Sequence, residues 1–185
     1  MNGKKLNSGE FLQVMIEISR LMRPNVYVEL GVRKGNTFKA IAPFAKKAIA
    51  VDKERGQIPE LIRRNSLKNA HFYQLSTDDF SAAWAKTGEK IDLLFIDADH
   101  RKEQVLKDFD NFSPYVVEDK GLIILHDTLP CREELLRPEY CSNAWEAAWE
   151  IRSNAKYAGF EILTLPGNYV GLSMVRKSAK QLYWS

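Results

Sequence analysis

The stretch Val26-Tyr-Val-Glu-Leu-Gly-Val-Arg-Lys-Gly-Asn-Thr37 decides the fold. Val26 to Leu30 is a short β-rich run that breaks at Gly31. Thr37 to Ala48 follows with helical composition, in which Pro43 predicts an interruption or an early stop. Strand, glycine turn and helix in that order form the opening unit of a parallel α/β sheet. Upstream, Ser8 can cap a helix whose apolar positions Phe11, Leu12, Met15, Ile16, Ile18, Leu21 and Met22 approximate a helical stripe ended by Pro24.

Downstream the alternation repeats. Ala48 to Asp52 is a second buried strand ending in an acid, Ile58 to Leu67 reads as helix, and His71 to Leu75 reads as extended chain. Ile91 to Asp97 is apolar at nearly every position, as a strand buried on both faces of a parallel sheet should be. Arg101 to Phe112 is an amphipathic helix, and Gly121 to Asp127 repeats the strand pattern. After a loop from Thr128 to Ser142, Ala144 to Tyr157 reads as helix, and Phe160 to Leu165 and Gly171 to Arg176 read as closing strands that pair as a hairpin. Seven strands alternating with about six helices predict an α/β fold. The sheet is expected to be doubly wound and mostly parallel with an antiparallel C-terminal hairpin, its ligands gathered at strand carboxyl ends near a topological switch.

The 185 residues fit one domain over 1–185, in which 1–24 is an N-terminal helical segment. With 45% hydrophobic and 28% charged residues the chain belongs with soluble globular proteins, which excludes disordered and fibrous classes. A net charge of +3 without long basic runs does not suit a dedicated nucleic-acid or membrane-surface binder. No apolar run reaches the roughly 18 to 20 residues that span a bilayer, and Met1 to Ser8 leads into no signal-peptide core, so a cytoplasmic chain without membrane partner is expected. Cys131 and Cys141 stand without His or Cys companions at zinc spacing and are expected as free thiols.

Chemistry-bearing residues concentrate where strands stop: Glu29 with Gly31 and Gly35, then Asp52, Thr77 with Asp78, Asp97 to His100, and His126 with Asp127. A carboxylate at a strand end can accept both hydroxyls of a ribose, and Asp52 is the better candidate for that role. Gly31 and Gly35 would let backbone approach a ligand, although G-x-x-x-G is not the dinucleotide spacing G-x-G-x-x-G. The same glycines would serve a tight strand-to-helix turn with no ligand at all, and Asp52 one unit later favours the ligand reading.

Four segments carry a family resemblance. Val28-Glu-Leu-Gly-Val-Arg-Lys-Gly-Asn-Thr37 resembles the first motif of class I S-adenosylmethionine-dependent methyltransferases, whose fold is Rossmann-like, and Val51-Asp52 resembles their second motif. Phe95-Ile-Asp-Ala-Asp-His100, with I-D-x-x-H spacing, and Gly121-Leu-Ile-Ile-Leu-His-Asp-Thr128 resemble the fourth and fifth strand ends of metal-assisted small-molecule O-methyltransferases, including those acting on catechols and antibiotic sugars. The likeness is to methyltransferase family 24 and spans about residues 26 to 128. It implies S-adenosylmethionine as cofactor and a hydroxyl of a small molecule, a sugar or another hydroxylated metabolite, as acceptor. It further implies that Glu29, Gly31 and Gly35 shape the methionine end of the pocket with Thr37 assisting, that Asp52 holds the ribose, that Thr77 or Asp78 lies beside the adenine, and that Asp97 serves both pocket and reacting end.

Methyl transfer to a hydroxyl is a direct displacement that needs an in-line nucleophile at about 3 to 3.5 Å and a means of removing its proton. His100, three residues after Asp97, occupies the position that carries the base in the resembling sugar O-methyltransferases; a purely structural helix-start histidine is the alternative. Asp97 and Asp127 could bind Mg²⁺ or another divalent cation, which would acidify a bound hydroxyl. The chain departs from the metal-assisted pattern in offering His126 and Thr128 around Asp127, and two clear oxygen ligands fall short of the roughly six such a cation takes. Metal use and plain loop-bonding carboxylates are therefore both open.

Trp145 and Trp149, four apart, are expected in the core, the alternative being a wall of the acceptor site. The segment 128–142 is long for a connection in such a fold and is the expected place of substrate selection, with Arg132 and Arg137 suited to an acidic acceptor or simply solvated. Nucleic acid is disfavoured as acceptor by the absence of an aromatic Pro-Pro motif and of a basic stripe. A non-catalytic binding protein of the same fold and a nicotinamide-dependent oxidoreductase are the competing classes. Apolar groups before Pro24 and in Gln181 to Ser185 would cover a partner or fold onto their own domain, and a homodimer is the expectation carried forward.

Overall fold

The computed structural model describes residues 9–64, 66–166 and 170–178. Its elements run α1 Gly9–Met22, β1 Val26–Leu30, α2 Asn36–Ile41, β2 Lys47–Asp52, α3 Ile58–Arg63, β3 Ala70–Gln74, α4 Thr77–Ala85, β4 Leu93–Ile96, α5 Lys102–Phe112, β5 Leu122–His126, α6 Ala144–Ser153, β6 Phe160–Leu165 and β7 Leu172–Lys177. They build one seven-stranded sheet in the order β3-β2-β1-β4-β5-β7-β6. The first five strands are parallel, and β7 runs antiparallel to both β5 and β6. This is the Rossmann-like sheet the sequence predicts.

Every residue of β1 is buried, because it lies between β2 and β4 with packed layers on both faces. The two-residue period divides it. Val26, Val28 and Leu30 point into a core with Phe80, Trp84, Phe109 and Phe112, while Tyr27 joins Met15, Phe38, Ile41 and Phe95 on the other side. From β1 the chain winds outward to β2 and β3, then returns across the sheet to β4 on the far side of β1. The loops after β1 and β4 therefore leave in opposite directions, and a crevice opens at the carboxyl ends between them.

Several boundaries move for identifiable reasons. Pro43 ends α2 early, in a 3₁₀ turn over Ala42–Phe44, so Ala48 belongs to β2 rather than to a helix. The helix expected to Leu67 stops at Arg63, and the one expected to Tyr157 breaks at Asn154, whose side chain accepts from the Lys156 amide and starts a 3₁₀ turn. A helix not assigned from composition, α4, is capped by Ser76, whose hydroxyl accepts from the Asp79 amide at 3.1 Å. Trp145 and Trp149 are not core residues: they are 39% and 63% exposed, and α6 buries its small face, Ala144, Ala147 and Ala148, with Ile151 instead. Cys131 and Cys141 form no disulfide among the described residues, and no described helix is long and apolar enough to cross a membrane. Ser8 and Gln181 to Ser185, called as helix cap and apolar tail, lie outside the described residues.

Helix α5 buries an acid. Asp108 is fully buried; one carboxylate oxygen accepts from Gln104 Nε2 at 3.0 Å and the other has no partner among the described residues. Burial pushes its carboxyl from the ordinary 3.8 up to about 6, against the pull of hydrogen bonds from Thr77 and Gln104. A group whose pKa rises on folding favours the native state below its unfolded value and loses that contribution as pH climbs through the folded one. Asp108 should thus cost about 3 kcal/mol of stability between pH 4 and pH 7. Urea unfolding across that range is expected to show a fall in wild type that is smaller in Asp108→Asn; identical pH profiles would refute the assignment.

Candidate active site

The crevice exists because β1 ends in a glycine. Gly31 donates its amide to Val51 O at 2.8 Å and then turns with φ 87°, a conformation side chains resist. A Cβ there would lie 2.4 Å from both Asp97 O and Ala98 Cα, so β1 can pass beside the end of β4 only without one. Gly35 turns at φ 70° into α2, and a Cβ would meet Ile58 Cδ1 at 2.3 Å. Above this floor lies a cavity of about 860 Å³.

Glu29, Gly31, Gly35, Thr37, Asp52, Asp97, His100 and Asp127 all line it, so the strand ends singled out in the sequence converge on one space. Asp52 is fixed by the Arg33 amide on one carboxylate oxygen at 2.7 Å and the Glu54 amide on the other at 2.8 Å. Each oxygen keeps acceptor capacity for further donors. Glu29 is buried and accepts from the Tyr27 hydroxyl at 2.5 Å, and burial pushes its carboxyl well above the usual range. Thr77 and Asp78 do not line the cavity: the Thr77 hydroxyl accepts from Gln104 Nε2 at 3.2 Å, and Asp78 pairs with Lys107 at 2.7 Å.

At the β4 and β5 ends two acids and two imidazoles interlock. His126, the last residue of β5, brings Nδ1 to 3.0 Å from Asp97 Oδ1 and 3.3 Å from Asp127 Oδ1. His100 places Nδ1 beside the Tyr140 carbonyl and 3.1 Å from Asp127 Oδ2, with Nε2 3.6 Å from Asp97 Oδ1. Burial opposes charge on every member, yet each acid and imidazole stabilises the other. Burial raises the Asp97 carboxyl, but His126 and His100 outweigh it and hold it at about 2; burial lowers the imidazoles, but the two acids raise His100 to about 9 and His126 to about 10. Asp127 takes φ 60°, a left-handed turn that an aspartate tolerates better than most side chains, and accepts from the Cys141 thiol at 3.4 Å. Burial and that acid push the thiol's pKa up, so it stays protonated.

The opposite wall comes from residues sequence reasoning did not single out as site residues. Phe11 and Leu12 of α1 line the cavity, and the Phe11 ring sits 4.4 Å from the His126 ring. From the 128–142 loop, Pro138, Glu139 and Ser142 reach it, whereas Arg132 and Arg137 are exposed and lie off it, as do Trp145 and Trp149. Phe11 had a signal, its place in an amphipathic stripe, but that stripe points to burial and not to a site.

Comparison with known proteins agrees with this geometry. The family model described as a methyltransferase domain matches residues 28–128, and the chain belongs to that family, the class I S-adenosylmethionine-dependent methyltransferases. No curated protein sequence matches it. Among solved structures, cofactor-bound Rv0187 from MTB aligns with TM-score 0.74 at 14% identity, over 94% of this chain and 82% of that one. The O-methyltransferase TomG from Streptomyces achromogenes, involved in tomaymycin synthesis and in complex with SAM, aligns with TM-score 0.73 at 12% identity over 93% and 81%. An O-methyltransferase from Bacillus cereus in complex with SAH gives 0.71 at 15% identity over 96% and 84%. At these identities the likeness is one of fold.

The Gly31 contact is directly testable. Gly31→Ala forces a Cβ into backbone that cannot yield, and is expected to lower stability by about 2–4 kcal/mol, roughly 5–10 °C in Tm for a chain of this size. Thermal unfolding measures it; an unchanged Tm would show that the β1 turn can relax.

Proposed function

We propose that this enzyme transfers a methyl group from S-adenosylmethionine to a hydroxyl of a small molecule, a sugar or another hydroxylated metabolite, with His100 as general base. The observation that carries the reading is the convergence, in one cavity, of the Gly31 turn and Asp52 with the His100 cluster. S-adenosylmethionine, when bound, supplies an electrophilic methyl group on a positively charged sulfur. The residues fit it: Gly31 and Gly35 line the cavity with bare backbone, and Asp52 is held by two backbone amides with oxygens still able to accept ribose hydroxyls.

His100 is oriented by the Tyr140 carbonyl at Nδ1, which fixes a proton there; with its pKa raised to about 9, Nε2 also holds a proton near neutrality and receives the acceptor's proton only in the fraction of molecules that has lost it, a fraction that grows as pH rises towards 9. Asp97 and Asp127 make the ring a stronger base by stabilising the imidazolium that forms. Phe11, Leu12 and Pro138 exclude water around the reacting hydroxyl. From the 128–142 loop the cavity is lined by Pro138, Glu139 and Ser142 and not by Arg132 or Arg137, so that loop offers no cationic group to an acidic acceptor.

A metal fits this cluster less well. Asp97, His126 and Asp127 bring ligand atoms within 4.8 Å of one another, but only two residues are carboxylates, and the His126 nitrogen that faces them already contacts both. With its pKa raised against burial to about 10 by the two acids, the ring is an imidazolium, and Nδ1 would have to give up the proton that lies between the carboxylates before it could bind a metal. This donor set does not match the roughly six oxygens Mg²⁺ takes.

Calorimetric titration is expected to show binding of S-adenosylmethionine and S-adenosylhomocysteine but not of NAD; absence of both sulfur ligands would overturn the reading. Asp52→Ala should weaken their binding by roughly tenfold or more through lost charged hydrogen bonds. His100→Ala should leave binding intact while turnover falls by about 10²- to 10⁴-fold, and unchanged turnover would remove His100 from its role.

A further inference from the structure

We propose that the imidazole of His126 takes the place between Asp97 and Asp127 that a divalent cation would occupy, so that this chain performs its reaction without a metal. The inference rests on the methyltransferase reading above and concerns what holds the base in position.

Parallel pairing of β4 and β5 puts two acids at adjacent strand ends, facing one cavity. Two carboxylates so close need a shared donor or a cation between them. His126 meets that need from within the sheet, its Nδ1–H shared between one oxygen of each acid at 3.0 and 3.3 Å. Both oxygens of Asp127 are drawn on further: Oδ2 faces His100 Nδ1 at 3.1 Å, and Oδ1 accepts from Cys141 Sγ at 3.4 Å.

The ring cannot readily vacate this place. It is packed against Phe11 and set edge-on to Phe95, with centroids 4.4 and 5.9 Å away, and Nε2 is sealed among described residues that offer it no acceptor. Binding a metal through Nδ1 would first strip the proton that the two acids share. His126 thus acts as a positioning residue: by donating to both acids it fixes the carboxylates that in turn set the basicity and orientation of His100.

The test uses Mn²⁺ as probe, on full-length protein stripped with EDTA. Wild type should leave the electron paramagnetic resonance signal of free Mn²⁺ undiminished, and EDTA should change turnover by less than about twofold. His126→Asp sets a third carboxylate at the same strand end; it should capture about one Mn²⁺ per chain and recover with Mn²⁺ a turnover reduced roughly 10- to 100-fold without it. A purely structural histidine would not convert into metal dependence. Capture of Mn²⁺ by wild type, loss of wild-type turnover in EDTA with recovery on adding metal, or a folded His126→Asp that leaves Mn²⁺ free would each overturn the proposal. If that variant does not fold, the wild-type titration decides alone. Wild type that binds S-adenosylmethionine and also Mn²⁺ defeats only this inference, whereas wild type that binds no S-adenosylmethionine defeats the reading beneath it.

Discussion

A single backbone contact at the carboxyl ends of β1 and β4 supports the rest of the structure. The turn at Gly31 passes so close to Asp97 and Ala98 that no side chain fits between them. This approach sits at the topological switch, where the chain leaves β1 one way and returns to β4 the other, and it sets the floor of the cavity. Asp97 follows immediately, its amide donating to Leu30 O at 2.9 Å, so the first acid of the reacting end is placed by the same ladder that positions the glycine. Cofactor side and reacting side are thus registered to each other by main-chain bonds rather than by mobile side chains.

The second constraint is electrostatic. A parallel sheet delivers its strand-end residues to one rim, and here it delivers acids from β2, β4 and β5 together with the buried Glu29 of β1. Each solves its burial differently. Asp52 takes two backbone amides, Glu29 takes a tyrosine hydroxyl and is pushed towards its neutral form by burial, and Asp97 and Asp127 share two imidazoles. The solutions follow from what each strand can offer nearby. Tyr27 lies two residues before Glu29 on the same face of β1, while Asp97 finds its partner on the neighbouring strand in His126, and Asp127 uses that same residue beside it together with His100 from the turn into α5.

Much of this was legible in the sequence because parallel strands buried on both faces write their period as unbroken apolar runs, and β1, β2, β4 and β5 each stop at a residue with chemistry. The rim could be read from those stops alone. Local competition decided what could not be read: Pro43 and Asn154 shortened helices whose composition continues, and α4 depended on the Ser76 cap more than on an apolar stripe. Trp145 and Trp149 misled because α6 meets the core through alanines, a choice only packing reveals. Thr77 and Asp78 follow β3 as the pattern of strand ends requires, yet α5 reaches them through Gln104 and Lys107 and ties them outside the cavity lining. His126 stood out as a departure from a pattern; that its ring would lie between the two acids depends on the register of β4 against β5.

The acceptor wall and the charged cluster also depend on each other. Phe11 belongs to α1, far from β5 in sequence, yet its ring both lines the cavity and covers His126. Apolar cover excludes water from the imidazole, and low local polarity strengthens its hydrogen bonds to Asp97 and Asp127 while making any unpaired alternative more costly. The same ring lines the cavity that His100 faces, and in the proposed reaction it would narrow the space in which an acceptor hydroxyl reaches that imidazole. Docking α1 therefore does two things with one contact: it dries the cluster that sets the basicity of His100, and it shapes the room in which that basicity is used. Across the cavity, the Tyr140 carbonyl orients His100 from the 128–142 loop, so in the proposed reaction the segment that would meet the acceptor would also aim the base. Changes in acceptor preference through either wall would then be felt in the chemistry as well, since neither wall touches the substrate space without also touching a histidine.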